Sequence, residues 1–121
     1  MKKCSTWQAQ IFCGLREGYS NTILPISFLY EICRRYVNAI GWCVTVTPTK
    51  YIYKDGEEDG AMIGVIADPR FLFPNDELEE RTINLAKELQ SYLKQTRISV
   101  SFPDKTIMLE SFQAQEKVED E

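Results

Sequence analysis

Two β-rich runs joined by a short polar segment constrain this chain more than any other feature. Trp42 to Tyr53 reads W-C-V-T-V-T-P-T-K-Y-I-Y, and Ala61 to Ala67 reads A-M-I-G-V-I-A. β-Branched and aromatic residues fill both, which suits a pleated, half-buried surface. Lys54-Asp55-Gly56, then Glu57, Glu58, Asp59 and Gly60, join them. Asp-Gly between such runs signals a turn, because both residues tolerate positive φ. A β-hairpin is expected, with the flanking segments folded to cover it.

The flanks have their own periods. Trp7, Ala9, Ile11, Cys13 and Leu15 alternate with Gln8, Gln10 and Phe12, which predicts a strand covered on one face. Arg16 to Asn21 reads as a polar connector. From Ser27 to Ile40, the residues Phe28, Leu29, Ile32, Cys33, Tyr36, Val37 and Ile40 fall on one helical stripe. Pro25 bars an earlier start, Ser27 is the expected N-cap, and Gly41 suits the left-handed C′ position. Glu31 and Arg35 have the spacing of an i,i+4 ion pair.

Pro48 cannot donate to a ladder, so the first hairpin arm is expected at a sheet edge, bulged or broken there. The second arm is apolar on both faces and reads as a central strand. Asp68 to Pro74 is a loop whose Phe71 and Phe73 are expected to plug the end of the core. Asn75 is the expected cap of a second helix, with Leu78, Thr82, Leu85, Ala86, Leu89, Tyr92 and Leu93 as its stripe. Arg97 to Phe102 alternates again, and Ile107 to Phe112 reads as a short fifth strand.

The order β-α-β-β-α-β, with an extra C-terminal strand, predicts an α+β ferredoxin-like sandwich: two helices on one face of an antiparallel sheet. That topology puts the second strand at an edge, in agreement with Pro48. Residues 7–112 are read as one domain, and 113–121 as an acidic, disordered tail.

Composition narrows the function classes. Net charge is −4, and the last nine residues carry four acids and one lysine, so the body is nearly neutral. A nucleic-acid partner would need a basic face, and none is expected. No apolar run approaches the roughly 18–20 residues of a membrane span, and no apolar region follows Lys2 and Lys3, so neither a membrane partner nor a signal peptide is expected. Cys4, Cys13, Cys33 and Cys43 form no C-x-x-C pair, and the chain has no histidine. No metal site is expected, and a reduced, cytoplasmic setting is the simplest reading. Cys13, Cys33 and Cys43 are read as small core residues.

In the expected topology the face away from the helices carries Gln8, Gln10, Phe12, Thr45, Thr47, Met62, Gly64, Ile66, Ser99 and Ser101. One reading is a solvated face with scattered hydrophobes. The other is an oligomer contact built on a patch of Phe12, Met62 and Ile66, with Thr45 and Thr47 beside it.

Chemical signatures are few. Without histidine there is no triad of the usual kind, and no Gly-rich phosphate loop or other cofactor motif occurs, so no cofactor is expected. Asp55, Glu57, Glu58 and Asp59 lack the spacing of a calcium loop and read as a solvated turn. Tyr51, Tyr53 and Lys54 are candidates for a ligand or partner contact, against packing of an edge strand on a neighbour. Arg70 and Arg97, near strand ends, are candidates for anion binding, against ordinary surface ion pairs.

Gly41-Trp42-Cys43-Val44-Thr45-Val46-Thr47-Pro48, Tyr51 to Gly56, and the Leu78-Glu79-Glu80-Arg81 start of the second helix resemble the CutA-type members of the PII superfamily. The resemblance implies ferredoxin-like subunits, usually trimeric, that pack their sheets together. It does not extend to copper or nucleotide binding, because the histidine segment is missing and the segment between the arms is much shorter than the PII loop. The layout is also similar to small ferredoxin-like families of bacteria and their phages. The leading expectation is a homo-oligomeric (trimer or dimer) binding or regulatory domain without catalytic machinery. The alternatives are a monomeric interaction or inhibitor protein of a mobile element such as a phage, with a protein partner, and a small-molecule enzyme with an inter-subunit site.

Overall fold

A computed structural model describes residues 1–111; the expected tail at 113–121 lies outside them. Five strands and two helices follow in the order β1 (Gln8–Gly14), α1 (Ile26–Ile40), β2 (Thr45–Tyr53), β3 (Gly56–Ile66), α2 (Asn75–Tyr92), β4 (Arg97–Ser101) and β5 (Thr106–Glu110). The sheet is antiparallel, ordered β2-β3-β1-β4-β5. It is the expected α+β, ferredoxin-like arrangement with an added edge strand.

The alternation of β1 holds residue by residue. Trp7, Ala9, Ile11, Cys13 and Leu15 are buried. Ile11 pairs with Ile63 on one side and Val100 on the other. Leu29, Ile32, Cys33 and Tyr36 of α1 and Leu78, Thr82, Leu85, Ala86 and Leu89 of α2 close over that row. Phe28 and Tyr92, predicted on the stripes, sit at their margins and are exposed. Arg35 stacks over the Tyr92 ring, and Glu31 pairs with Arg34, not with Arg35. Arg81 ties the helix layer to its flank: its guanidinium lies 4.0 Å from the Phe73 ring centroid and bonds Glu77, and its carbonyl accepts from the Tyr36 hydroxyl at 3.0 Å.

Both helices begin one residue after a proline. Pro25 and Pro74 hold extended backbone at the cap positions, and neither helix has a side-chain cap bond. The expected caps Ser27 and Asn75 lie inside the first turns, because the proline sets the extended-to-helical switch without a capping side chain. Gly41 ends α1 at φ 69°, as expected.

The hairpin is tighter than the sequence suggests. Tyr53 pairs with Gly56, so only Lys54 and Asp55 form the turn, with Asp55 at φ 64°. Glu57, Glu58 and Asp59 are strand residues, not turn residues, and Lys50 of β2 reaches both Glu57 and Asp59. β2 begins at Thr45 and runs through Pro48 without a break, in register with Ala61. β2 is an edge strand, so the missing N–H of Pro48 faces no partner. Cys43 is exposed, in contrast to the core role predicted for it. Burial pushes the thiols of Cys13 and Cys33 up to about 12 and about 11, which leaves them protonated and unreactive at neutral pH.

At Gly60 the β1 backbone and a β2 ring both crowd β3. A Cβ there would lie 2.4 Å from the Cys13 carbonyl oxygen and 2.4 Å from the Tyr51 ring. At Gly64 the nearest atom is the Thr45 hydroxyl, which can rotate away. Gly60→Ala is therefore expected to lower stability by about 1–3 kcal/mol, and Gly64→Ala by less. Urea unfolding of both variants measures this; equal midpoints, or the reverse order, would contradict the packing described.

Candidate active site

The side chains of greatest chemical interest meet at one end of the helix-free face. Along β2 that face carries Thr45, Thr47, Thr49, Tyr51 and Tyr53; along β3 it carries Glu58, Gly60 and Met62, by the register of the two strands. The row Gln8, Gln10, Phe12 and Gly14 on β1 continues by the same alternation to Arg16, beyond the buried Leu15. Tyr51 lies opposite Glu58. The Arg16 guanidinium donates to the Tyr53 hydroxyl at 3.3 Å and pairs with the Glu58 carboxylate at 3.4 Å.

These contacts are partly open to water. The side chains of Arg16 and Glu58 are 39% and 28% exposed, so the pair itself adds little to stability. Tyr51 is held more firmly. Its ring covers Gly60, its hydroxyl donates to the Ala61 carbonyl at 2.7 Å, and burial pushes its phenol up to about 12. It is a fixed, neutral aromatic wall. A carboxylate offers about four lone-pair sites. Arg16 is its one ion-pair partner among the described residues, and at a long distance, so Glu58 keeps capacity for a second cationic group.

Tyr51 and Tyr53, singled out from the sequence, thus come together. Lys54 lies next to them in the turn. Arg97 is on β4 at the same end of the sheet, but it forms an ion pair with Glu110 at 3.6 Å and donates to the Tyr19 hydroxyl at 3.5 Å. Arg70 belongs to the other end. Both oxygens of Asp68 bind it at 3.0 Å and hold that carboxyl down to about 2, well below its usual range. Of the expected apolar patch, Phe12 and Met62 are direct partners across β1 and β3. Ile66 lies about 13 Å farther along β3.

Arg16 and Glu58 were missed by sequence reasoning, one read as connector and the other as part of an acidic turn. Residue parity carried the signal: 16 continues the row 8, 10, 12, 14, and 58 continues the row 66, 64, 62, 60. Hollows also lie elsewhere on the surface. One of about 160 Å³ is walled by Trp42, Thr45, Gly64, Ile66 and Phe71 beside the Asp68–Arg70 pair. Another of about 380 Å³ is a wide depression along Trp7, Gln8, Gln10, Ser101 and Phe102. The first is smaller than most ligand sites, which start near ~300 Å³, and its one cation is already paired.

No protein-family model matches the sequence, and no curated protein matches it. Among solved structures, it is similar to a phage SAM lyase in complex with S-methyl-5'-thioadenosine, with a TM-score of 0.72 and 17% identity over 92% of this chain and 94% of that one. A phage SAM lyase in the apo state matches with a TM-score of 0.63 and 14% identity over 88% and 90% of the two chains. Likeness at these identities establishes a shared fold. It also corrects the leading expectation. Both of these solved structures, similar along nearly the whole chain, are of an enzyme, so the reading as a binding or regulatory domain without catalytic machinery, the leaning against an enzyme, and the inhibitor alternative are set aside. The absence of histidine was the physical reason for that leaning, and it excludes only chemistry that needs an imidazole.

Proposed function

We propose that this chain is a lyase acting on S-adenosylmethionine, and that it releases S-methyl-5'-thioadenosine. The observation that carries the proposal is the full-length likeness to a phage SAM lyase in complex with that product. The residues of the open face are suited to such a reaction. S-adenosylmethionine contains its own nucleophile and its own leaving group. Its carboxylate oxygen closes on the γ-carbon; the carbon–sulfur bond breaks, and its electron pair returns to sulfur. The products are the neutral thioether and homoserine lactone, with the ammonium retained. No proton moves and no outside nucleophile enters, so a chain without histidine can accelerate it.

The reaction joins a carboxylate to a sulfonium, so charge is lost as it proceeds. Removing water favours such a step, and the tyrosine rings supply apolar walls. Glu58 is assigned to the substrate ammonium, whose charge does not change. That interaction is equal in ground and transition states and acts on KM. Arg16 steadies the Glu58 carboxylate.

The open face is also proposed to meet copies of itself, as a trimer or dimer. The exposed Ile66 and Met108 and the Phe12–Met62 pair support this. A second subunit over the face would exclude water from Tyr51 and Tyr53. Light scattering on the purified protein is expected to give two or three chain masses; a single-chain mass would reject this assembly.

Incubation of the purified protein with S-adenosylmethionine is expected to yield S-methyl-5'-thioadenosine well above the protein-free background, measured by liquid chromatography. Glu58→Gln is expected to lower kcat/KM by about 10- to 100-fold, mostly through KM, as loss of a charge-assisted hydrogen bond would. Substrate loss no faster than in buffer alone would reject the lyase reading. Wild-type kinetics in Glu58→Gln would remove Glu58 from the site.

A further inference from the structure

Beneath the Arg16–Glu58 pair lies a buried polar side chain that the reaction as described does not use. Gln95, between α2 and β4, is 7% exposed. Its amide nitrogen donates to the Arg16 carbonyl at 2.8 Å and to the Leu93 carbonyl at 3.1 Å. Its amide oxygen lies on the other side, over Gly14. A Cβ on Gly14 would stand 3.0 Å from that oxygen and 3.3 Å from the Glu58 carboxylate. Gln95 and Glu58 therefore share the space that Gly14 leaves open.

The backbone around Gln95 is arranged to hold it there. Lys94 takes φ 53°, outside the range most residues prefer, and its carbonyl accepts from the Gly18 amide at 2.8 Å. The Gln95 backbone N–H donates to the Gln90 carbonyl at 2.9 Å. Burial and two donor contacts restrict the Gln95 side chain. Arg16 lies past the end of β1, where ladder bonds no longer fix the strand. Its backbone is tied by the bridge to Ile23 on one side and by Gln95 on the other.

We propose that Gln95 is a positioning residue: it anchors the Arg16 backbone so that the guanidinium meets Glu58 and Tyr53, and it packs beside Glu58 across Gly14. The inference rests on the lyase reading of that site. Gln95 touches no substrate group and acts through Arg16 and Glu58.

Gln95→Met keeps the length and most of the volume but removes both donors. Its kcat/KM is expected to fall about tenfold, mainly through KM. Gln95→Glu tests the donor itself. Burial raises the pKa of the introduced carboxyl, so below that pKa its one O–H can still donate to the Arg16 carbonyl and keeps more activity than Gln95→Met. Above it the donor is lost and a negative charge stands beside Glu58. Arg16 and Glu58 face that position, with Lys94 and Arg97 near it in the chain. Activity in Gln95→Glu is therefore expected to fall with rising pH where the wild type does not, a profile that a merely structural residue would not produce.

A readout independent of turnover separates this inference from the lyase reading. The Arg16 side-chain Nε signal in NMR is expected to report a restrained guanidinium in the wild type and an averaged one in Gln95→Met. Unchanged Arg16 dynamics in Gln95→Met, or a wild-type pH profile in Gln95→Glu, would overturn the positioning role. A wild type that is inactive but loses Arg16 restraint in Gln95→Met would overturn the lyase reading and uphold the role of Gln95.

Discussion

The pairing of Ile11 with Ile63 on one side and Val100 on the other is the contact on which the rest of the molecule depends. All three side chains are fully buried beneath the two helices. They set the register of the three central strands, and register decides which face every other strand residue takes. A slip of one residue would turn Ile11 and Cys13 outward and bring Gln10 and Phe12 into the core. The polar end of the open face follows from that same register, since Glu58 shares a face with Met62 only while Ile63 points into the core.

Much of this was legible from period and punctuation. The alternation from Trp7 to Leu15 and the stripe of α1 identified the core, and Pro48 identified the edge. The caps were not legible. Ser27 and Asn75 looked like caps because their side chains can take that role, but the prolines before them had already fixed the backbone. The hairpin was misjudged for a related reason. Glycine and acidic residues are common in turns, yet Gly56 to Gly60 extend β3, where glycine leaves room for the Tyr51 and Tyr53 rings. The candidate site was half legible. Tyr51 and Tyr53 stood out as aromatics on an edge strand. Arg16, Glu58 and Gln95 did not, because their nearness is created by three-dimensional packing, and Gln95 reaches a carbonyl 79 positions away.

The chemical reading depends on what a scaffold without histidine can do. Where a substrate supplies both nucleophile and leaving group, a protein contributes by orientation, by excluding water and by holding charges that do not change. A carboxylate steadied by one arginine and the held phenol of Tyr51, with Tyr53 beside it, are means of that kind. The hollow beside Trp42 lies about 20 Å from Glu58 along the hairpin, too far to belong to the same binding contacts within one chain.

In the proposed lyase, ligand recognition falls at the Arg16–Glu58 end of the open face. Titration of isotope-labelled protein with S-methyl-5'-thioadenosine, followed by backbone and side-chain NMR shifts, locates that recognition. The largest changes are expected on Gly14 to Arg16, Tyr51 to Glu58, and Gln95. Changes confined to Trp42, Ile66 and Phe71, or none at saturating ligand, would contradict that placement.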